Sequence, residues 1–383
     1  MRPRKLEVLA ASAIAVCCLA LAIHPALRPV STAVAPVVTT VAVAGARPRI
    51  EVVFVLDTTG SMSGLLDGAK EKIWAIANRL AAGQPRPELR VGLVAYRDLG
   101  DDYVTRRLDF SADMDAVYAE LLSYQAGGGG DGPEHVGRGL DDALHAMQWT
   151  QDPGTLRLVF LVGDAPPHDD YQDTRTTAEL AALAAGRGIL INTVQCGAAG
   201  DTEAAWRKIA AIARGEYTRI AQDGGMVTVA TPFDQRLADL NNELAGTVLS
   251  WGDAAAKRAS QVKLGNRMSM STSNAAEAAS YSARTARMND EDLLGALAGG
   301  QALADIPTDQ LPDALQGLAP AEQQRALDAA RSRRDSVNAQ IRDVAAEREA
   351  YLRAHTTADG DGGFDDRVTD TLRRQAAAIG IAY

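Results

Sequence analysis

This sequence has little to offer redox, zinc or nucleic-acid chemistry. Among 383 residues there are three cysteines, Cys17, Cys18 and Cys196, and no C-x-x-C pair, so no disulfide framework and no thiolate zinc or redox site is readable. Cys196 lies in the apolar run "ILINTVQCG" and reads as a buried structural thiol. Five histidines leave few candidates for a general base. Acidic residues outnumber basic ones by 49 to 39, which argues against a general nucleic-acid binder, whose affinity rests on Lys and Arg contacts to phosphate. No glycine loop ends in GK[ST], and "GSMSG" puts no serine at the centre of a G-x-S-x-G elbow. "DGDGGFDD" at 359–366 has Gly363 and Phe364 where a calcium loop needs an oxygen donor and a glycine, so it reads as a turn before a last helix.

What is present is the composition of a globular protein, 46% hydrophobic and 23% charged, with room for one sizeable core. At the N-terminus, Arg2, Arg4 and Lys5 precede an uncharged apolar run over 8–23. Residues 1–24 therefore read as a signal peptide or an N-terminal membrane anchor, although the run is short against the roughly 20 residues of a spanning helix. Ala42-Val43-Ala44 is a small-residue cleavage pattern far downstream, and Val16 before Cys17 makes a poor lipobox. Either reading exports the remainder. The expected location is the membrane, facing the periplasm or extracytoplasmic side, or secretion if the signal is cleaved. Residues 25–49, with prolines and no helical period, read as a linker.

From Ile50 the pattern changes. "IEVVFVLD", "ELRVGLVAYRD", "LRLVFLVGD" and "ILINTVQCG" are apolar runs of strand length, and "YVTRRLDF" is a more polar one suited to a sheet edge. Helical periodicity lies between them, for example at Leu66, Ala69, Ile73, Ile76 and Leu80. A further helix is predicted with Thr231 as N-cap and Pro232 at its first position. This alternation predicts an α/β domain over 50–250 with a doubly wound, mostly parallel central sheet flanked by helices. Beyond it, 251–320 is small, polar and weakly patterned and reads as a loose linker with short helices. The stretch 321–383 reads as a helical C-terminal region. Within it, Ala330, Val337, Val344 and Tyr351 recur every seven residues like a coiled-coil seam, while Arg334 and Arg348 interrupt a second row holding Leu327 and Ile341.

In open α/β sheets, ligands bind beyond the carboxyl ends of the strands. Asp57 and Asp164 both stand at such ends. Three loops belong together there: Asp57-Thr58-Thr59-Gly60-Ser61, "GGGGDGPEHVGRGL" at 127–140, and "LVGDAPPH" at 161–168. Each alone has a bland reading, as a capping turn, a helix start and a strand-end turn. As a set they resemble the von Willebrand factor type A domain family, with its metal-ion-dependent adhesion site of the form D-x-[ST]-x-S. The second loop, with Asp131-Gly132-Pro133-Glu134, is similar to the D-x-P-E loop of integrin β-subunits. The residues after 250 resemble helical extensions of bacterial envelope proteins that carry this domain.

The resemblance implies a divalent cation, Mg²⁺ first and Ca²⁺ or Mn²⁺ as alternatives, held by Asp57, Thr59, Ser61, Glu134 and Asp164. Asp131 and His168 are further candidates as ligands or as supporting groups. Mg²⁺ is a hard ion that wants six oxygens, and two hydroxyls at alternate positions can be aimed at one point by a tight turn. The family's adhesion chemistry then implies capture of a partner protein's carboxylate at an open position, with no catalysis. Two alternatives compete with that expectation. One is a metal-assisted hydrolase that uses Glu134 or His168 as base; the other is a metal-independent scaffold.

Overall fold

The computed structural model describes residues 47–130, 132–355 and 363–383. The N-terminal apolar run with Cys17 and Cys18, Asp131, and the first half of "DGDGGFDD" lie outside the described residues.

Six strands form one sheet in the order β3-β2-β1-β4-β5-β6. Strands β1 (Arg49–Asp57), β2 (Glu88–Tyr96), β4 (Thr155–Gly163), β5 (Ile189–Cys196) and β6 (Arg214–Ile220) run parallel, while β3 (Thr105–Ser111) pairs antiparallel to β2 at one edge. The near-continuous apolar run of β1 has a direct cause. Val52, Phe54 and Leu56 point into one core and Val53 and Val55 into the other, so both faces of the strand are buried. Helices α1 (Ser63–Ala81) and α2 (Met114–Ser123) contribute to the first core. Helices α3 (Val136–His145), α4 (Thr177–Gly186) and α5 (Gly200–Ile212) contribute to the second. The chain leaves β1 toward β2 but returns to β4 on its other side. That reversal opens a crevice at the carboxyl ends of β1 and β4.

After the sheet come α6 (Asp234–Ala245), α7 (Ala254–Met268), α8 (Thr272–Thr285), α9 (Leu293–Ala298), α10 (Pro320–His355) and α11 (Phe364–Ala376). Helix α6 starts at Asp234 rather than at Pro232. Thr231 is bonded to the Asp234 carboxylate by both its N–H and its hydroxyl, at 2.8 and 2.9 Å, and forms a turn ahead of the helix.

The loose linker expected over 251–320 is instead opened by two regular helices, α7 and α8. The weak pattern of α8 comes from burial on both sides. Ala278 and Tyr281 join the sheet-side core, with Tyr281 edge-on to Trp74 of α1 at 5.7 Å, while Ala276, Ala279 and Ala283 pack with α6 and α10. A helix of small residues buried all round shows no single apolar stripe. The long helix α10 packs on α6 and α8 of the same chain through Val337 and Ile341. The arginines that interrupt its seam are its anchors. Arg334 donates to both Asp292 oxygens and to Thr247, and Arg348 donates to Asp234 and Glu277 at 2.6 Å each.

Helix α11 returns to the sheet. Phe364, Val368, Leu372 and Ala376 enter the same core as Phe54 and Phe160. Asp365 lies 3.8 Å from Lys72 and 3.6 Å from Arg79, and Asp366 pairs with Arg79 at 2.8 Å, so these two carboxylates of the weak calcium signal bind helix α1. No helix among the described residues is long and apolar enough to cross a membrane.

Candidate metal centre

The first loop begins where β1 ends. Asp57 is fully buried and accepts from Thr59 twice at Oδ1, from the backbone N–H at 2.8 Å and from the hydroxyl at 2.6 Å. The Thr59 and Ser61 hydroxyls lie 3.5 Å apart on the same side of the turn. Thr58 faces away and donates its hydroxyl to Tyr96 O at 3.0 Å. Alternate residues of this turn therefore divide between the site and the sheet.

The second loop is bound to both of the others. Gly60 N–H donates to Gly128 O, and Gly127 N–H to Thr58 O. On the far side, Glu134 N–H donates to Pro166 O at 3.0 Å and His168 N–H to Glu134 O at 2.9 Å, a short parallel bridge. Glu134 thus stands just ahead of α3, whose N-cap is His135, and is not a first-turn residue. Gly128 has a φ of 76°, and a Cβ there would lie 2.2 Å from Asp101 Oδ1. Asp101 in turn accepts from Gly129 N–H at 3.0 and 3.2 Å, so only a glycine loop fits over this carboxylate. The third loop, carrying Asp164, is held by α5. Thr202 Oγ1 donates to Asp164 O at 3.0 Å and Trp206 Nε1 to Ala165 O at 3.2 Å.

Thr59, Ser61, Glu134 and Asp164 line one cleft of about 370 Å³, with Gly128, Gly129 and Asp201 on its walls and no Lys or Arg among its lining residues. Asp57 lies beneath Thr59. His168 does not line the cleft; its Nδ1 pairs with Asp170 at 2.8 Å and its ring stacks on Tyr171. Among the described residues, no three His, Cys, Asp or Glu side chains close up into a metal-holding cluster, so any ion here draws on the hydroxyls as well.

The electrostatics of the cleft floor are those of an acidic site short of positive charge. Asp57 Oδ2 and Glu134 Oε2 are buried and have no hydrogen-bond partner among the described residues, and neither has the buried Tyr96 hydroxyl. Burial pushes the Asp57 carboxyl up to about 7 against its hydrogen bonds from Thr59, with the Asp164 charge adding to the rise. Burial, followed by the charge of Asp57, pushes Glu134 up to about 8. Arg97 is the buried cation behind these loops. It donates to Thr58 O at 3.1 Å and to Gln125 O at 2.7 Å, bracing the first and second loops from below. Cys196 is a free buried thiol, raised well above its usual range mainly by burial. An all-oxygen donor set with orphaned carboxylate oxygens fits a hard divalent cation, held by Asp57, Thr59, Ser61, Glu134 and Asp164.

Residues 51–232 match the sequence model of the von Willebrand factor A domain. This stretch is a von Willebrand factor A domain. A curated relative is alpha-protein kinase vwkA of Dictyostelium discoideum, 30% identical over 122 residues, which are 31% of this chain and 19% of that protein. This chain therefore matches only a small part of the kinase-named relative's length. Solved structures similar to it include BatB of Bacteroides thetaiotaomicron, at 18% identity, covering 45% of this chain and 90% of that one with a TM-score of 0.33. Another is proximal thread matrix protein 1 of the mussel byssus with a zinc-occupied MIDAS motif, at 15% identity, covering 46% of this chain and 43% of that one with a TM-score of 0.37.

Within the von Willebrand factor A domain, several groups at the site were not singled out from the sequence: Tyr96, Arg97, Asp101 and Gln222. Tyr96 ends β2 and Arg97 follows it, and Gln222 stands two residues beyond β6. The strand-end rule that drew attention to Asp57 and Asp164 would have found all three.

Gly163, the residue before Asp164, allows the closest approach in the site. A Cβ on it would lie 2.5 Å from Tyr96 Oη and 3.0 Å from Asp57 Cβ. Gly163→Ala is expected to destabilise the domain by about 1–3 kcal/mol and to weaken its response to divalent cations, since β1 and β4 are locked in register and cannot part. Thermal melts with and without Mg²⁺ read both effects, and a wild-type profile would mean that the strands yield freely here.

Proposed function

We propose that this protein binds a divalent cation, Mg²⁺ before Ca²⁺ or Mn²⁺, through Asp57, Thr59, Ser61, Glu134 and Asp164, and uses it to hold a protein partner by an acidic side chain. Domains of this family are in general protein-interaction modules. The observation that carries the proposal is the pair of buried, partnerless oxygens, Asp57 Oδ2 and Glu134 Oε2, beside the Thr59 and Ser61 hydroxyls. Leaving two such oxygens without donors costs stability that a cation recovers. The ion would supply Lewis acidity toward a partner oxygen, and the residues would fix its place. The proposed setting is the cell envelope, with the apolar run over 8–23 exporting or anchoring the chain and the helical region bracing the domain.

The hydrolase alternative needs a base facing the ion. His168 does not line the cleft and has Nδ1 on Asp170, which would leave Glu134 to serve as both ligand and base. Titration calorimetry of the wild type and Asp57→Ala with MgCl₂, MnCl₂ and CaCl₂ tests the metal. A pull-down from envelope extract with and without EDTA tests the partner. Saturable uptake by the wild type, lost in Asp57→Ala together with the EDTA-sensitive partner, is the expected result. A wild type that takes up no divalent cation, or an Asp57→Ala variant that behaves like it, would overturn the proposal.

A further inference from the structure

Gln222 lies on the loop after β6 and reaches back over the cleft. Its Nε2 donates to Asp164 Oδ2 at 2.6 Å and reaches Ser61 O at 3.5 Å. The other end of the amide fills the space that Gly197 leaves open, where a Cβ would lie 2.4 Å from Gln222 Oε1. The loop itself is pinned further on. Gly224 O accepts from Phe364 N–H at 2.9 Å, and Val227 O accepts from Lys72 Nζ at 2.7 Å. The Gln222 amide is therefore set in place.

The consequence lies in which carboxylate oxygens remain. Asp57 commits Oδ1 to Thr59 and leaves Oδ2 without a donor. Asp164 commits Oδ2 to Gln222 in a short, charge-assisted hydrogen bond, and its other oxygen accepts none from the described residues. Each aspartate thus offers one oxygen instead of two. Ca²⁺ gathers six to eight oxygens, often through bidentate carboxylates, whereas Mg²⁺ takes six and prefers single oxygens and water.

We infer that Gln222 is a positioning residue that sets ion selectivity: by holding one oxygen of Asp164 it keeps the centre from assembling the bidentate shell a large cation needs, and so favours Mg²⁺ and Mn²⁺ over Ca²⁺. This inference rests on the metal-binding reading above. Gln222 is otherwise exposed, so its replacement leaves the core intact.

The test is titration calorimetry of the full chain with MgCl₂, MnCl₂ and CaCl₂, using wild type, Gln222→Ala and Gln222→Glu, with melting in EDTA recorded for each. The ratio of the Ca²⁺ to the Mg²⁺ dissociation constant should fall about tenfold in Gln222→Ala, because Asp164 is then free to turn both oxygens inward. In Gln222→Glu, which replaces the donor by a second oxygen and adds a negative charge, it should fall further. A loss of fold would move both constants together; only a change in selectivity moves their ratio. A ratio unchanged in both variants, with wild type binding Mg²⁺, overturns the role of Gln222 alone. A wild type that binds no divalent cation overturns the metal reading and this inference with it.

Discussion

Arg267→Ala is expected to cost about 3–5 kcal/mol of folding stability, a large fraction of what holds an ordinary domain together. Arg267 is 1% exposed, on α7 between the helical region and the sheet. Its guanidinium donates to Asp115 Oδ1 at 3.0 Å and Oδ2 at 3.2 Å, to Asn241 Oδ1 at 3.0 Å and to Ser282 Oγ at 3.1 Å. Its face lies over Trp74, 5.0 Å from the ring centroid. One side chain thereby joins α7 to α1, α2, α6 and α8. Burial already pushes the Asp115 carboxyl upward despite this partner, so truncation leaves a buried carboxylate with little left to neutralise it. Denaturant midpoints should show the loss. The double variant Arg267→Met with Asp115→Leu should recover most of it, because the stranded charge is then gone. A small loss in Arg267→Ala would mean that water enters and solvates Asp115.

The second large effect is a dependence of stability on pH, which the proposed cation would flatten. The Asp57 carboxyl is raised to about 7 in the folded protein against 3.8 for the free group. The folded state therefore holds a proton that the unfolded state has released, and the stability this confers is full below about pH 4 and is lost as pH rises through 7. For Asp57 alone the change is about 4 kcal/mol. Glu134, raised to about 8, extends the decline in the same direction. In EDTA the melting temperature should fall from pH 5 to pH 8. Saturating Mg²⁺ should flatten the curve by favouring the ionised carboxylates, and at 100 times its dissociation constant it adds about 2.7 kcal/mol. Asp57→Asn, neutral at every pH, should be more stable than wild type at pH 8 in EDTA and should gain little from Mg²⁺. A wild-type melt independent of pH in EDTA would contradict the buried acidic floor of the cleft.

Much of this fold was legible because its strands are buried on both faces. The run from Ile50 to Asp57 could be read as a strand from its apolar residues alone, and the polar "YVTRRLDF" as an edge. The three loops could be grouped because each follows a strand end or precedes a helix in the family's order. Their joining could not be read. The bridge between Glu134 and Pro167 is a backbone contact and the clasp of the Asp101 carboxylate on Gly129 N–H a side-chain-to-backbone one, both between segments far apart in sequence, and such contacts leave no periodic trace. The helices after 250 were obscured for a different reason. Alanine and serine in α8 pack on two sides at once, and Arg334 and Arg348 look like breaks in a seam until Asp292, Asp234 and Glu277 are seen to meet them.

Helix α11 has a bearing on biogenesis. The strip of core that it covers, including Phe54 and Phe160, is made early, with β1 and β4, while Phe364 and Leu372 follow only after α6 to α10. A chain emerging residue by residue assembles all six strands with that strip still open to solvent. The nascent sheet therefore keeps a sticky strip throughout synthesis of the helical region, and a stop anywhere before Phe364 releases a domain with that strip uncovered.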